Sequence, residues 1–192
     1  MKFASRSSLF PLAVFLVVAL PLFFHPSGGV LAKGAFEGYY AKFVHAARPK
    51  KAPDVPFLDA WGEKHTLSDF RGKVILANIW ATWCPACIVE MPQLDRLQVQ
   101  LGGEDFMVLT ISQDSGGGTA VRKFLDKRNL TNLPIFIDKD RRLGKAFKQS
   151  LLPTSMLLDA EGRELGRIIG PAEWDSPEAL AFIRRYLPGG GK

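Results

Sequence analysis

The chain has 192 residues, of which 47% are hydrophobic and 23% are charged, and its formal net charge at pH 7 is +6. This composition is typical of a globular domain and excludes a fibrous, coiled-coil or wholly disordered chain. The basic residues are scattered and lack the interleaved aromatic residues of a nucleic-acid groove, so we expect no nucleic-acid partner.

The N-terminus has the pattern of an export signal. Lys2 and Arg6 precede an uncharged, mostly apolar run at residues 9–24. The run is short for a membrane-spanning helix, and residues 30–32 offer small side chains at the positions usual before a cleavage site. We therefore predict that residues 1–32 are either a cleaved signal peptide or an N-terminal inner-membrane anchor, and that the folded part is periplasmic.

The next segment, residues 33–52, has weak periodicity and is followed by prolines. It is predicted to be a tether, with some helix around residues 39–47. We expect one domain over residues 53–188 and a flexible tail at residues 189–192.

Within the domain, strand-like and helix-like patterns alternate. The predicted strands are 57–59, 74–80, 106–111, 134–138, 154–159 and 164–169, with a hairpin turn between the last two. The predicted helices are 85–101, one around 121–125, 143–147, and a last one that Ser176 caps. This order predicts an α/β fold, in which a mixed central sheet carries helices on both faces.

The chain has two cysteines, Cys84 and Cys87, at the point where a buried strand gives way to a helix. A pair with this spacing can close and reopen a small disulfide, and the helix N-terminus favours the thiolate that performs the exchange. A structural bridge across so short a loop would stabilise the fold little. We therefore predict a redox-active pair in which Cys84 attacks and the more shielded Cys87 resolves.

Other uses of a cysteine pair leave different marks. Haem attachment needs a histidine directly after the second cysteine, where this chain has Ile88. A structural zinc site needs four ligands, which two cysteines and three scattered histidines do not supply. Two thiolates can carry Cu(I), so a copper chaperone is the alternative from another class. A disulfide-forming oxidant is the alternative within the same class.

Several motifs of the domain occur together in one known family. They are Asp-Phe-Arg-Gly-Lys at 69–73, Asn-Ile-Trp-Ala-Thr-Trp-Cys-Pro-Ala-Cys at 78–87, Glu-Met-Pro at 90–92, Leu-Pro-Thr at 152–154 and Gly-Pro-Ala-Glu-Trp at 170–174. With these motifs the domain resembles the thioredoxin superfamily, and more closely its TlpA-like branch (TlpA/ResA/CcmG type) of exported thiol-disulfide reductases. The resemblance implies a thioredoxin-like fold.

The resemblance also implies an activity. Members of the branch take electrons from a membrane thiol-disulfide donor. They reduce cysteine pairs of protein substrates in cytochrome c maturation or in cytochrome oxidase assembly. The expected redox group is the Cys84–Cys87 disulfide itself, with no other cofactor and no metal.

By the same resemblance, Pro153 is expected to be a cis-proline that faces the disulfide, although the residues alone favour a trans turn. The expected substrate-contacting residues are Trp83, Pro85, Ala86, Leu152, Pro153 and Thr154.

Three further residues are expected to support the site. Asn78 stands where thioredoxins place a buried aspartate, which leaves the proton acceptor for Cys87 unidentified. Glu90 matches an acidic position of the branch, whereas its place on the helix alone favours a solvated side chain. Trp80 is expected either to line the site or to belong to the core.

Overall fold

The computed structural model describes residues 43–190. Within this part of the chain the strands are β1 Val44–Lys51, β2 Phe57–Asp59, β3 Lys64–His65, β4 Val74–Trp80, β5 Phe106–Ser112, β6 Phe136–Ile137, β7 Thr154–Leu158 and β8 Arg163–Ile169. The helices are α1 Pro85–Leu101, α2 Gly117–Lys127, α3 Arg142–Ala146 and α4 Pro177–Arg184, with a short 3-10 turn at Leu67–Phe70.

All these strands belong to one sheet, in the order β1-β8-β7-β4-β5-β6-β2-β3. The β4–β5 and β5–β6 pairs are parallel, and the other pairs are antiparallel. Every residue of β4 is buried, as a central strand covered on both faces requires. The predicted mixed sheet with helices on both faces is confirmed.

The alternation of side chains along β4 positions the site. Leu76 and Trp80 join the core under α1, α2 and α4, whereas Ile75 and Ile79 join the core on the α3 face. Asn78 has the same parity as Trp80, so the period of two in a strand places its polar side chain under α1. The strand register therefore carries a polar group into the interior beside the cysteine-bearing helix.

The sheet extends into the predicted tether. Strand β1 pairs antiparallel with β8, which places Val44 opposite Arg167 and Lys51 opposite Arg163. Helix was expected around residues 39–47, and this expectation is wrong for the strand residues 44–47. Most β1 side chains are exposed, so the strand has no apolar alternation for a sequence reading to detect. Its position depends on backbone pairing with β8.

A glycine permits this pairing. A Cβ atom at Gly166 would lie 2.5 Å from the Phe43 ring and 2.5 Å from the Val44 carbonyl oxygen. Phe43 is buried and packs in a tilted arrangement against Phe182 of α4, with the ring centroids 4.7 Å apart. The chain thus enters the fold before residue 53.

The two chain ends are described only in part. The predicted signal peptide or anchor and residues 33–42 of the predicted tether lie outside the described residues, as do tail residues 191–192. Residues 189–190 close a turn in which the Gly190 N–H donates to the Leu187 carbonyl at 2.9 Å. None of the helices between residues 43 and 190 is long and apolar enough to cross a membrane.

Candidate active site

The two cysteines lie at the N-terminus of α1, directly after the loop that follows β4. Cys84 is the N-cap of the helix and Pro85 occupies its first turn. The cysteines form a disulfide with their Cα atoms 5.2 Å apart. The Cys84 sulfur also accepts a hydrogen bond from the Cys87 N–H at 3.2 Å. A thiolate on Cys84 therefore faces backbone N–H groups and the positive end of the helix dipole.

The two sulfurs differ in access. Cys84 is 5% exposed and lines a surface cavity of about 420 Å³, whereas Cys87 is fully buried. Within residues 43–190, the pair is open to a substrate from the Cys84 side and closed on the Cys87 side. The roles of Cys84 as the attacking thiol and Cys87 as the resolving thiol stay predictions, and this difference in access is their physical basis.

Asp114, which follows β5, holds the loop before Cys84. Its carboxylate accepts from the Thr82 N–H at 2.8 Å and from the Thr82 hydroxyl at 2.6 Å. The Ser112 hydroxyl donates to the same carboxylate at 2.5 Å. Sequence reasoning missed Asp114, because its partner Thr82 is 32 positions away and only the parallel pairing of β4 with β5 brings the two together.

Glu90 lies on the inner face of α1, and its side chain belongs to a cluster closed off from solvent. One carboxylate oxygen accepts from the Asn78 amide at 2.7 Å, and the other accepts from the Trp174 indole at 3.1 Å and from the Ala172 N–H at 3.2 Å. Ser155 completes the cluster through a 2.8 Å bond with the Asn78 amide. Burial raises the pKa of Glu90 to about 7, against the lowering effect of these hydrogen bonds.

This cluster decides between the two expectations for Glu90. The solvated position favoured by the helix pattern is wrong, since the side chain is fully buried. Ala172 and Trp174 cover it from a loop more than 80 positions later in the chain. The Gly170–Trp174 motif was a signal that could have indicated this contact. Because Glu90 follows Cys87 by three residues on the helix, both side chains lie on one face.

Trp80 and Trp83 lie in different surroundings. Trp80 is fully buried and packs at 5.3 Å from the Phe124 ring, so it belongs to the core. Trp83 is 58% exposed and lines the cavity next to Cys84. Of the two, only Trp83 offers a surface to a partner.

The loop before β7 forms the opposite wall. The Leu152–Pro153 peptide bond is cis, as the family resemblance implies. Leu152 lines the cavity, while Pro153 is buried and its carbonyl accepts from Gly170 at 2.9 Å. The Thr154 hydroxyl donates to the Leu151 carbonyl at 2.7 Å, which holds the loop in place.

The expected substrate-contacting residues therefore divide into two groups. Trp83, Pro85 and Leu152 line the cavity with Cys84, whereas Ala86, Pro153 and Thr154 lie outside its lining. Ala86 packs partly buried against the core.

Residues 43–190 contain no cluster of three or more potential metal ligands. The His65 ring lies between two carboxylates, with its Nε2 atom 3.5 Å from Asp59 Oδ2 and its Nδ1 atom 3.7 Å from Asp69 Oδ2.

Comparison with known families and proteins agrees with this geometry. The Redoxin family matches residues 48–183. The chain belongs to this family. The thiol-disulfide oxidoreductase ResA of Bacillus cereus (strain ATCC 10987 / NRS 248) is 31% identical over 160 residues, which are 83% of this chain and 90% of ResA. The thioredoxin-like protein YneN of Bacillus subtilis (strain 168) is 34% identical over 66% of this chain and 74% of its own length.

Solved structures of this redoxin's relatives show the same fold. A thiol:disulfide interchange protein of the thioredoxin family from Chlorobium tepidum TLS has a TM-score of 0.57 at 25% identity, over 70% of this chain and 96% of that chain. The pneumococcal exposed lipoprotein thioredoxin Etrx1 from Streptococcus pneumoniae has a TM-score of 0.55 at 26% identity, over 64% of this chain and 93% of the Etrx1 chain. The fold is thioredoxin-like, and the protein is a thiol-disulfide oxidoreductase whose redox group is the Cys84–Cys87 pair.

Proposed function

We propose that this redoxin is a periplasmic protein-disulfide reductase acting in cytochrome c maturation or cytochrome oxidase assembly. The observation that carries the proposal is the asymmetry of the pair, with Cys84 at an open cavity and Cys87 fully buried, one helical turn before the buried Glu90. The export pattern of residues 1–32 supports the location, either as an inner-membrane anchor or as a cleaved signal. The relative Etrx1, described as an exposed lipoprotein, also supports it.

The reaction starts from the reduced pair. The Cys84 thiolate attacks one sulfur of a substrate disulfide, so that a mixed disulfide forms and one substrate thiolate leaves. Cys87 then loses its proton and attacks the Cys84 sulfur, which releases the second substrate thiolate. Two electrons pass to the substrate, and the pair becomes the Cys84–Cys87 disulfide. A membrane thiol-disulfide donor returns two electrons to the pair for the next cycle.

Glu90 fits the role of proton acceptor for Cys87. It lies one helical turn from Cys87 in the same dry interior, and its pKa of about 7 allows both proton uptake and release near neutral pH. Asn78, which stands where thioredoxins place an aspartate, cannot take the proton. Its amide instead donates to Glu90 at 2.7 Å and so orients that carboxylate.

A Cys87→Ser variant tests the exchange reaction. Expressed in the native host, this variant should accumulate mixed disulfides between Cys84 and its substrates, because the second attack is blocked. The matched control is the Cys84→Ser/Cys87→Ser double variant, which should trap nothing. Cytochrome c assembly factors or cytochrome oxidase assembly factors should be among the trapped proteins. Absence of trapped protein would overturn the proposal.

The direction of electron flow needs a second measurement. Equilibration of the folded domain with glutathione redox buffers gives the reduction potential of the pair. A reductant should have a potential well below that of strong oxidants such as DsbA, which is about −120 mV. A value above about −150 mV would assign the protein to disulfide formation instead.

A further inference from the structure

The cavity beside Cys84 is larger than the expected substrate-contacting residues account for. Beyond Trp83, Pro85 and Leu152, its walls include the residue after β5, residues at the start of α3 and within it, and residues from the segment between α3 and β7. These additional lining residues are Gln113, Arg141, Lys145, Gln149, Ser150 and Leu151. A volume of about 420 Å³ can hold one or two side chains of a bound peptide.

The charged residues that line this cavity are both cationic. Arg141 and Lys145 are exposed, and neither has an ion-pair or hydrogen-bonding side-chain partner among residues 43–190. The Arg141 backbone has a φ of 56°, which non-glycine residues rarely adopt. Its N–H donates to the Asp138 carbonyl at 2.9 Å. The fold therefore holds a cationic residue in an unfavourable conformation at the edge of the site.

Among residues 43–190 no carboxylate forms an ion pair with either of these cations. Asp138 accepts from the N–H groups of Leu143 at 3.2 Å and Gly144 at 2.9 Å, and it lines a different cavity. The Asp114 carboxylate accepts hydrogen bonds from Thr82 and Ser112. The positive charge at the cavity is thus available to a ligand.

The polar part of the cavity wall is held by hydrogen bonds between its own residues. The Gln113 side-chain amide donates to the Gln149 oxygen at 2.9 Å, and Gln149 donates to the Leu151 carbonyl at 3.0 Å. A Cβ atom at Gly144 would collide with both glutamine side chains, so the glycine makes room for this pair. The wall has a defined shape rather than being an open surface.

We propose that Arg141 and Lys145 select protein substrates that carry an acidic residue next to the attacked disulfide. This inference rests on the proposed function, because it concerns the substrate of the same Cys84 attack. The substrate segment lies between Trp83 and Leu152, with its disulfide at Cys84 and its carboxylate toward Arg141 and Lys145. The apolar walls favour a peptide over a bare anion.

Matched peptides test the selectivity. Two disulfide-linked peptides differ only in a Glu or a Gln beside the cysteine, and kcat/KM is measured for their reduction by the reduced protein. We expect about fivefold higher kcat/KM for the Glu peptide at low salt, with the preference falling as ionic strength rises. The Arg141→Gln/Lys145→Gln variant should bring the ratio to within about twofold. The Arg141→Glu/Lys145→Glu variant, which inverts the charge of the cavity, should reverse the preference in favour of a matching Lys peptide.

Arg142→Gln is the matched control, because this exposed neighbour lines a different cavity. It should keep the full preference for the Glu peptide. Equal kcat/KM for the Glu and Gln peptides, or an equal loss in Arg142→Gln, overturns the selectivity and leaves the reductase activity standing. Glutathione disulfide serves as a small-molecule substrate for comparison. If the effect of the two cations on kcat/KM is seen only with glutathione disulfide and not with the peptides, the assignment to protein substrates is overturned. Failure to reduce either peptide overturns the proposed function together with this inference.

Discussion

The two sides of the Cys84–Cys87 disulfide are built differently. On the Cys84 side lies an open cavity with an exposed Trp83 and two cationic residues. On the Cys87 side lies a dry cluster in which Glu90 accepts three hydrogen bonds from side-chain and backbone donors. The first side is suited to contact with proteins of variable sequence, and the second is suited to handling one proton without water.

This difference separates recognition from proton transfer. The open side can vary in charge without disturbing the core, because its charged residues are exposed. The buried side cannot vary in the same way, since removing one member leaves a polar group without a partner in a low-dielectric interior. Substitutions on the open side should therefore affect substrate recognition, whereas substitutions on the buried side should affect proton transfer and stability.

The largest expected effect comes from the cysteines themselves. Cys84→Ser should abolish disulfide reduction, because the accessible nucleophile is lost, whereas Cys87→Ser should still make one stoichiometric attack. Single-turnover reduction of a disulfide peptide, followed by mass spectrometry of the mixed adduct, measures both. If Cys84→Ser reduces the peptide above the uncatalysed rate, the two sides do not have separate roles.

The next effect concerns the pH dependence of stability. The pKa of Glu90 is raised from 4.5 to about 7 by burial, so between these values the folded state holds a proton that the unfolded chain has released. This contribution to stability is complete below pH 4.5 and is lost as the pH rises to about 7. The free energy of unfolding should fall by about 3 kcal/mol over that window.

Urea unfolding of the oxidised protein at about pH 5 and about pH 8 measures this change. Glu90→Gln should lack this part of the pH dependence, because the amide does not titrate. The variant should also be less stable overall, since one amide oxygen replaces two carboxylate oxygens facing three donors. Glu104→Gln, an exposed carboxylate on the loop before β5, is the control and should behave like the wild type. A Glu90→Gln profile that matches the wild type would contradict the prediction.

A smaller effect is expected from the loop that covers Glu90. Trp174→Phe keeps an aromatic ring but removes the indole N–H that donates to Glu90 at 3.1 Å. The loss of stability should be about 2 kcal/mol at about pH 8, where Glu90 is ionised, and smaller at about pH 5. The same urea unfolding experiment measures it. An equal loss at both pH values would show that Trp174 contributes packing alone.

Local patterns predicted the elements and the redox pair well. The continuous apolar run of β4, the helical spacing after Pro85 and the hairpin before α4 are all properties of neighbouring residues, so the sequence contains them directly. The cis bond before Pro153 followed from the family resemblance. Strand β1 was not found, because an exposed edge strand is defined by the partner to which it pairs rather than by its own pattern.

By itself, the sequence determined the α/β order of the elements and the placement of the only two cysteines at a helix N-terminus, because spacing and periodicity are local; the thioredoxin-like fold was implied by the family resemblance. Only the tertiary structure decided which groups surround them. The strand register turned Asn78 under α1, a distant loop buried Glu90, and the packing of α3 and its N-cap brought Lys145 and Arg141 to the cavity. These are contacts between residues far apart in the chain, and burial and charge at such contacts arise only when the sheet has assembled.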